Sequence, residues 1–297
     1  MSTTAPRARR SPGAPRARRG SGPLALSAVA AKYLSLVLAC LVVLVPLTSV
    51  LMTSFKTSGE MARGSGALTA PHNWFNFANY VTAFKDGGML QGFGNTLFIL
   101  LFSIVGTVLI GSMAAYAIDR FEFRFKKLVV SLFLVATLVP AVTTQVATFQ
   151  VINGFGLFDT RWAPILLYMG TDIVSIYIFL QFIRGIPVSL DEAARIDGAS
   201  SLRIYWTIIL PLLRPAIATV VIIKGIAVYN DFYIPFLYMP DENLGTVSTS
   251  LFRFKGPFGA QWQDISAGAV LVIIPSLLAF LFLQRFIYSG LTKGATK

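Results

Sequence analysis

The chain has 297 residues, of which 55% are hydrophobic and only 13% are charged, and its formal net charge is +12. Soluble domains carry roughly 25% charged residues, so the composition excludes a disordered or disulfide-stapled chain and favours a membrane protein. The single cysteine, Cys40, excludes an intrachain disulfide and a cysteine metal cluster, and His72 is the only histidine available for histidine-based catalysis.

Residues 1–28 contain six arginines and no acidic residue, and they are rich in Pro, Ala, Gly and Ser. Such a segment cannot bury a core, so we predict a disordered tail. A basic arm can bind nucleic acid, but here an apolar run follows directly, which is typical of a cytoplasmic tail that obeys the positive-inside rule. We therefore expect contact with membrane lipid and no nucleic-acid partner.

Six stretches are apolar and long enough to cross a bilayer as helices, which takes roughly 20 residues. They are residues 33–52, 96–118, 128–151 and 162–183, a span within 208–239, and residues 267–287. The sequence therefore predicts an all-α integral membrane protein with six transmembrane helices. With both termini in the cytoplasm, 18 Lys and Arg residues lie inside and six lie outside, as the positive-inside rule requires.

The predicted cytoplasmic loop 184–207 has strong helix signals. Ser189, followed three residues later by Glu192, predicts a capping box. Gly198 can take the left-handed conformation that ends a helix, and Ser200 or Ser201 can cap a second short helix. The pattern predicts a short helix–turn–helix, and the alternative is an ordinary amphipathic loop at the membrane interface.

The spacing of Glu192-Ala193-Ala194, Gly198 and Leu210-Pro211 resembles the EAA loop in membrane subunits of binding-protein-dependent ABC importers. In that family the loop is a coupling helix that docks in a cleft of a cytoplasmic ATPase, where its glutamate meets a basic residue. The resemblance thus implies a type I ABC importer permease fold. It assigns ATPase coupling to Glu192, Ala193, Ala194, Asp197, Gly198, Leu210 and Pro211.

Further motifs extend the resemblance over residues 94–297 and favour the carbohydrate branch, the second permease of maltose-type systems. They are Gly94-Asn95-Thr96-Leu97, Ala115-Tyr116-Ala117 with Arg120-Phe121, Gly156-Leu157 with Thr160, Tyr229-Asn230-Asp231-Phe232, and Gln284-Arg285-Phe286 with Ser289-Gly290-Leu291-Thr292-Lys293-Gly294. In the fourth of these motifs, Tyr and Asp replace the family's Trp and Glu.

The resemblance implies a multi-pass protein of the cytoplasmic membrane that imports a mono- or oligosaccharide. Its expected partners are a second homologous permease, two copies of an ATPase and an extracytoplasmic solute-binding protein. The sequence contains no Gly-x-x-x-x-Gly-Lys-Ser/Thr motif, so we expect no enzyme activity, metal or cofactor on this chain, with ATP and Mg²⁺ bound by the ATPase. The expected parts are a tail (1–28), a first helix with an external loop (29–93), the permease domain (94–290, coupling loop 184–207) and a cytoplasmic tail (291–297).

Charged and polar residues inside the predicted spans mark a possible translocation path, because charges in a membrane usually face the bundle interior or a water-filled cavity. They are Asp172, Lys224, Asn230 and Asp231. One reading is a lining that hydrogen-bonds sugar hydroxyls. The other is structural, with Lys224 paired to Asp172 or Asp231.

The second predicted external loop, residues 240–266, is rich in aromatic residues that can anchor an interface. We predict that it contacts the binding protein through Phe252, Phe254, Phe258 and Trp262. Three rival functions remain at this point: an ABC permease for a non-sugar solute such as a polyamine or phosphonate, a secondary transporter, and a membrane-embedded enzyme. A secondary transporter would need several coupled intramembrane carboxylates.

Overall fold

The computed structural model describes residues 23–170, 172–257 and 259–295, and this part of the chain is mainly helical. The helices are α1 (Pro23–Ser54), α2 (Ser58–Ala62), α3 (Ala78–Lys85), α4 (Met89–Arg120), α5 (Lys126–Leu138), α6 (Gln145–Gly154), α7 (Trp162–Gly170), α8 (Ile173–Arg184), α9 (Ser189–Ile196), α10 (Ser201–Ile204), α11 (Leu210–Leu212), α12 (Arg214–Asn230), α13 (Tyr233–Tyr238), α14 (Val247–Ser250) and α15 (Trp262–Ala295). Short 3₁₀ turns cover Ala141–Thr144, Glu242–Leu244 and Leu251–Phe254, and a π turn covers Tyr205–Ile209. In the described part, strands β1 (Lys255–Gly256) and β2 (Gly259–Ala260) form an antiparallel pair in which Lys255 faces Ala260.

The chain divides into two compact units, residues 1–49 and 50–297. The first unit contains most of α1, in which the apolar side chains from Val29 to Leu47 are exposed. Because α1 begins at Pro23, residues 23–28 are helical and the predicted disordered tail is wrong there. Residues 1–22 lie outside the described residues. At the other end, α15 continues to Ala295, so the predicted tail from residue 291 begins as helix.

Among the described residues, three continuous helices are long and apolar enough to cross a membrane, namely α1, α4 and α15. Three bent pairs raise the number of spans to six if each pair counts as one. Residues Lys126–Leu138 and Val142–Gly154 meet at 98°, α7 and α8 at 44°, and Ser201–Leu212 and Arg214–Asn230 at 73°. The prediction of six apolar stretches is thus compatible with the fold, but the third, fourth and fifth are broken.

Two of the breaks have identifiable causes in the backbone. Pro140 follows α5 with an extended conformation and starts a 3₁₀ turn, as expected for a residue that lacks a backbone donor. Pro215 lies in the first turn of α12, where proline is tolerated, so the helix restarts there after the bend. Pro275, in contrast, lies inside continuous α15.

The second compact unit is built around α4, which packs against α7, α8 and α12. Glycines allow close approach of these helices, as is common in membrane proteins. A Cβ atom added at Gly111 would lie 3.3 Å from the Phe179 ring of α8, and one at Gly106 would lie 2.4 Å from the Met169 sulfur of α7. The position of α8 against α4 is therefore fixed by direct contact of side chain and backbone.

The segment between α1 and α4 folds through local polar contacts. Thr57 and Glu60 form a capping box at the start of α2. The backbone N–H groups of Thr57 and then His72, both donating to Glu60, lower the pKa of its carboxyl from 4.5 to about 2. Lys56 is fully buried and donates to the Gly66 carbonyl at 2.6 Å and to the Thr69 hydroxyl at 3.0 Å. This segment is thus an ordered structure rather than an unstructured loop.

Candidate functional site

Helix α9 lies where the coupling helix is predicted, but it starts differently. Val188 is the N-cap and makes no side-chain hydrogen bond, so the predicted capping box from Ser189 to Glu192 is wrong. The N–H groups of Asp191 and Glu192 bond instead to the Val188 carbonyl, which moves Ser189 into the first turn. At the other end the predictions are confirmed: Gly198 has a φ of +79°, and the Ser200 hydroxyl accepts from the Arg203 N–H at the start of α10.

Most of α9 faces away from the rest of the chain. Glu192, Ala193 and Arg195 are exposed, and Ala194 is half-buried. Ile196 is 87% exposed, and Asp197 and Gly198 beyond it are exposed as well. The EAA motif and the residues after it therefore form an exposed surface, with Glu192 and Arg195 as its charged part and Ile196 as its apolar part.

Asp191 is the exception, and sequence reasoning missed it. Within α9, all of which the structure describes, it is the only buried side chain. Its carboxylate accepts a hydrogen bond from the Tyr116 hydroxyl at 3.1 Å and an ion-paired bond from Arg120 Nε at 3.1 Å. Arg120 also donates to the Ile186 carbonyl at 2.8 Å. We call Tyr116, Arg120 and Asp191 the Asp191 clamp.

Leu210 and Pro211 lie at a bend, where they connect the α9 segment to α12. The π turn Tyr205–Ile209 precedes them, and the bend that follows Leu212 is 73°. Leu210 is half-buried and Pro211 is exposed. The neighbouring Ile209 and Leu213 are fully buried, so they, rather than the two motif residues, hold this connection in the core.

Of the predicted polar residues of the spans, Asp172 and Asp231 lie at helix breaks, whereas Lys224 lies inside α12. Asp172 is the N-cap of α8, where its carboxylate accepts from the N–H and the hydroxyl of Ser175. Lys224 of α12 forms an ion pair with Asp172, with a nitrogen–oxygen distance of 3.2 Å and side chains only 15% and 12% exposed. Of the two predicted partners of Lys224, the structure thus selects Asp172.

Asp231 lies one residue beyond the end of α12 and caps the next turn. Its carboxylate accepts from the N–H groups of Tyr233 and Ile234 and from the Tyr168 hydroxyl, the last at 2.8 Å. The Lys224 ammonium lies 5.8 Å from the centre of the Tyr168 ring, a cation–π geometry. Asn230 is exposed and donates to the Ile226 carbonyl. Asp172, Lys224, Tyr168 and Asp231 therefore form one connected polar group, which we call the polar break cluster.

The predicted contact residues of the second loop are not equivalent. Phe252 and Trp262 are 42% and 59% exposed. Phe254 is buried against Ala83 and Ala267, so it belongs to the packing and is not a surface contact. Phe258 lies outside the described residues.

The start of α4 holds this loop in place. Asn95 donates to the carbonyls of Asn243 and Gly245, both at 2.9 Å, and Thr96 accepts from the Val247 N–H at 3.0 Å. The motif at residues 94–97 thus has a structural role. Because 20 to 25 residues of α4 lie between Asn95 or Thr96 and the clamp residues Tyr116 and Arg120, the helix separates this loop from the Asp191 clamp by about 30–38 Å.

A family model described as the binding-protein-dependent transport system inner membrane component matches residues 107–293. The chain belongs to this family. As an inner membrane component it is a multi-pass permease and not an enzyme, which confirms the membrane location and the family predicted from the EAA spacing.

Curated relatives of the permease are sugar transport proteins by name. A probable starch degradation products transport system permease protein, AmyC of Thermoanaerobacterium thermosulfurigenes, is 32% identical over 85% of this chain and 91% of its own length. The galactooligosaccharides transport system permease protein GanQ of Bacillus subtilis (strain 168) is 32% identical over 89% and 94%. The melibiose/raffinose/stachyose import permease protein MelC of the same strain is 30% identical over 85% and 91%.

A solved structure supports the fold of the permease. A chain of a bacterial ABC transporter involved in the import of the acidic polysaccharide alginate superposes with a TM-score of 0.73, covering 93% of this chain and 99% of that chain at 21% identity. This similarity confirms the type I ABC importer fold predicted for the chain.

The ion pair of the polar break cluster predicts an asymmetric mutational response. Lys224→Met leaves the Asp172 carboxylate buried without its partner, and we expect a loss of about 3–5 kcal/mol of stability. Lys224→Met combined with Asp172→Asn removes both charges and keeps an oxygen for the Ser175 N–H, so the loss should be smaller. Thermal unfolding of the purified permease in detergent measures both, with the exposed Lys255→Met as the control. Equal losses for the single and double variants would contradict the assignment.

Proposed function

We propose that this permease imports an oligosaccharide as one of two homologous permeases in an ATP-driven, binding-protein-dependent transporter. The observation that carries the proposal is the exposure of helix α9, on which Glu192 and Ala193 of the EAA motif are exposed. The names of the relatives AmyC, GanQ and MelC support a sugar cargo. Two copies of an ATPase subunit, holding ATP and Mg²⁺, and an extracytoplasmic solute-binding protein complete the assembly.

The proposed orientation has both termini, α9 and the Arg120 end of α4 in the cytoplasm. In this orientation the Asn95 end of α4 and residues 240–266 face the outside. The excess of Lys and Arg in the segments assigned to the cytoplasm supports it.

Helix α9 would dock in a cleft of the ATPase, with Glu192 opposite a basic residue. Its shape supports this role, because Ala193 and Ala194 leave the backbone accessible to a close partner and Ile196 offers an exposed apolar contact. Asp197 and Gly198 end the docking surface, and Leu210 and Pro211 lead from it into α12.

The translocation path would pass the polar break cluster and Asn230. A neutral sugar needs hydrogen-bonding groups in a membrane, and such groups are confined to a few places in these helices. Asn230 is exposed, and its side-chain oxygen accepts no hydrogen bond from the residues that the structure describes. Asp172 is paired with Lys224, and Asp231 accepts from Tyr168, so a sugar would reach these groups when the helices rearrange.

Phe252 and Trp262 would contact the solute-binding protein on the outside, since both are exposed in the same loop. Replacing both by serine should reduce the stimulation of ATP hydrolysis by the binding protein at least several-fold, because exposed aromatic residues often anchor such interfaces. The buried Phe254 is left intact in this variant. Unchanged stimulation would show that the loop is only a connector.

Uptake by the assembled complex in proteoliposomes tests the cargo. Radiolabelled maltotriose, raffinose and galactotriose, each with the solute-binding protein of the proposed assembly, are compared with spermidine. We expect ATP-dependent uptake of at least one sugar and none of spermidine, and we expect Asn230→Ala to raise the KM for that sugar. Uptake of spermidine alone would show that the cargo is a polyamine and not a sugar. Uptake driven by an ion gradient without ATP would exclude the ABC mechanism.

Glu192→Lys should abolish uptake, because it puts a positive charge opposite the proposed basic residue of the ATPase. Both charges would then lack a partner, which weakens the docking of α9. Glu122→Lys is the matched control, since Glu122 is an exposed acid on the neighbouring turn between α4 and α5. Both variants should reach the membrane in normal amounts. Normal uptake by Glu192→Lys would refute docking through this residue.

A further inference from the structure

We infer that Asp191 is a positioning residue that transmits the movement of α9 to α4 and α8. The inference deepens the proposed function and rests on the docking of α9 on an ATPase. Its basis is the Asp191 clamp, whose two partners, Tyr116 and Arg120, lie one turn apart on the last part of α4.

The Asp191 clamp is the main contact between the side chains of α9 and the other helices. Every other α9 side chain is exposed except Ala194, which is half-buried, and the whole helix is within the described part of the chain. Asp191 is in contrast fully buried. A small apolar contact such as that of Ala194 permits sliding, whereas charged hydrogen bonds have fixed lengths and directions.

Arg120 links three segments at once. Its Nε donates to Asp191 of α9, one of its terminal nitrogens donates to the Ile186 carbonyl just after α8, and it forms an ion pair with the adjacent Asp119. Its side chain is only 4% exposed and that of Asp191 only 1%. A displacement of α9 thus acts directly on the ends of both α4 and α8.

The surroundings of the clamp are rigid. Tyr116 packs against Tyr205 with ring centres 5.8 Å apart, and the Tyr205 hydroxyl bonds to that of Ser112 at 2.7 Å. Ala115, Phe179, Ile183 and Ile204 belong to the same buried cluster. Packed cores of this kind transmit displacements because they deform little.

Asp191→Ala and Asp191→Asn test the inference in the reconstituted complex, once the wild-type complex takes up sugar. We expect uptake to fall at least ten-fold in Asp191→Ala while the ATPase still copurifies, so that more ATP is hydrolysed per sugar imported. Uptake should fall less in Asp191→Asn, because asparagine keeps the shape of the side chain and one acceptor oxygen. Glu192→Lys is expected to lose the ATPase itself, so a failure of docking is distinguishable from a failure of transmission.

A double variant, Arg120→Met with Asp191→Leu, guards against simple misfolding. Apolar replacement of a buried ion pair is often neutral or stabilising, so this variant should fold and assemble but import poorly. Because Arg120→Met also removes the bonds to Ile186 and Asp119, the loss of uptake in the double variant should be at least as large as that of Asp191→Ala. Normal uptake by the double variant would overturn the inference.

A distance measurement addresses the mechanism directly. Spin labels at Ser189→Cys on α9 and Glu122→Cys just beyond α4, in a Cys40→Ser background, report the separation of the two elements. We expect the distance to stay constant between the nucleotide-free and ATP-trapped states, and to change between them when Asp191→Ala is added. A distance that changes in the presence of the intact clamp would show that α9 moves independently and would overturn the inference.

Discussion

A charged group that leaves water has to be paired, and in the described part of this permease two buried ion pairs join one helix to another. Lys224 pairs with Asp172 between α12 and α8. Arg120 pairs with Asp191 between α4 and α9. Separating either pair without a new partner costs several kcal/mol per ion. The helices on either side of each pair therefore move together, or they move only when another charge or a polar ligand takes over.

Asp172 and Asp231, the two carboxylates of the polar break cluster, have a second role that explains their position. Where a helix breaks inside a membrane, the freed N–H groups need an acceptor, because no water is present to serve as one. Asp172 accepts from the Ser175 N–H at the start of α8, and Asp231 accepts from the N–H groups of Tyr233 and Ile234. These acids thus stabilise the broken backbone and at the same time hold Lys224 and Tyr168. Capping and charge pairing are combined in the same side chains.

The sequence allowed the apolar stretches, the family and a short helix at the EAA motif to be predicted, since these depend on composition and spacing. The breaks between α5 and α6 and between α7 and α8 could not be located, because a window of roughly 20 residues averages the hydropathy of the two halves of a bent span. The capping box at Ser189 was wrong because Pro187 lets the helix begin one residue earlier, from the Val188 carbonyl. Asp191 was missed because the motif directs attention to Glu192. The sequence did contain a signal for it. Tyr116 and Arg120 are four residues apart and so share one face of a helix, where they can bind a buried carboxylate.

Helix α8 connects the two ion pairs. Asp172 caps its first turn, and the Ile186 carbonyl that Arg120 binds follows shortly after its end. With 12 residues, α8 is a rod of about 18 Å, and the Phe179 ring in contact with Gly111 prevents it from sliding along α4. Because α8 is short and closely packed, a displacement of the end that Arg120 binds also displaces Asp172 at the other end. The Asp191 clamp and the polar break cluster are therefore connected through α8. Under the proposed function, α8 would link the helix that docks on the ATPase to the residues past which a sugar moves.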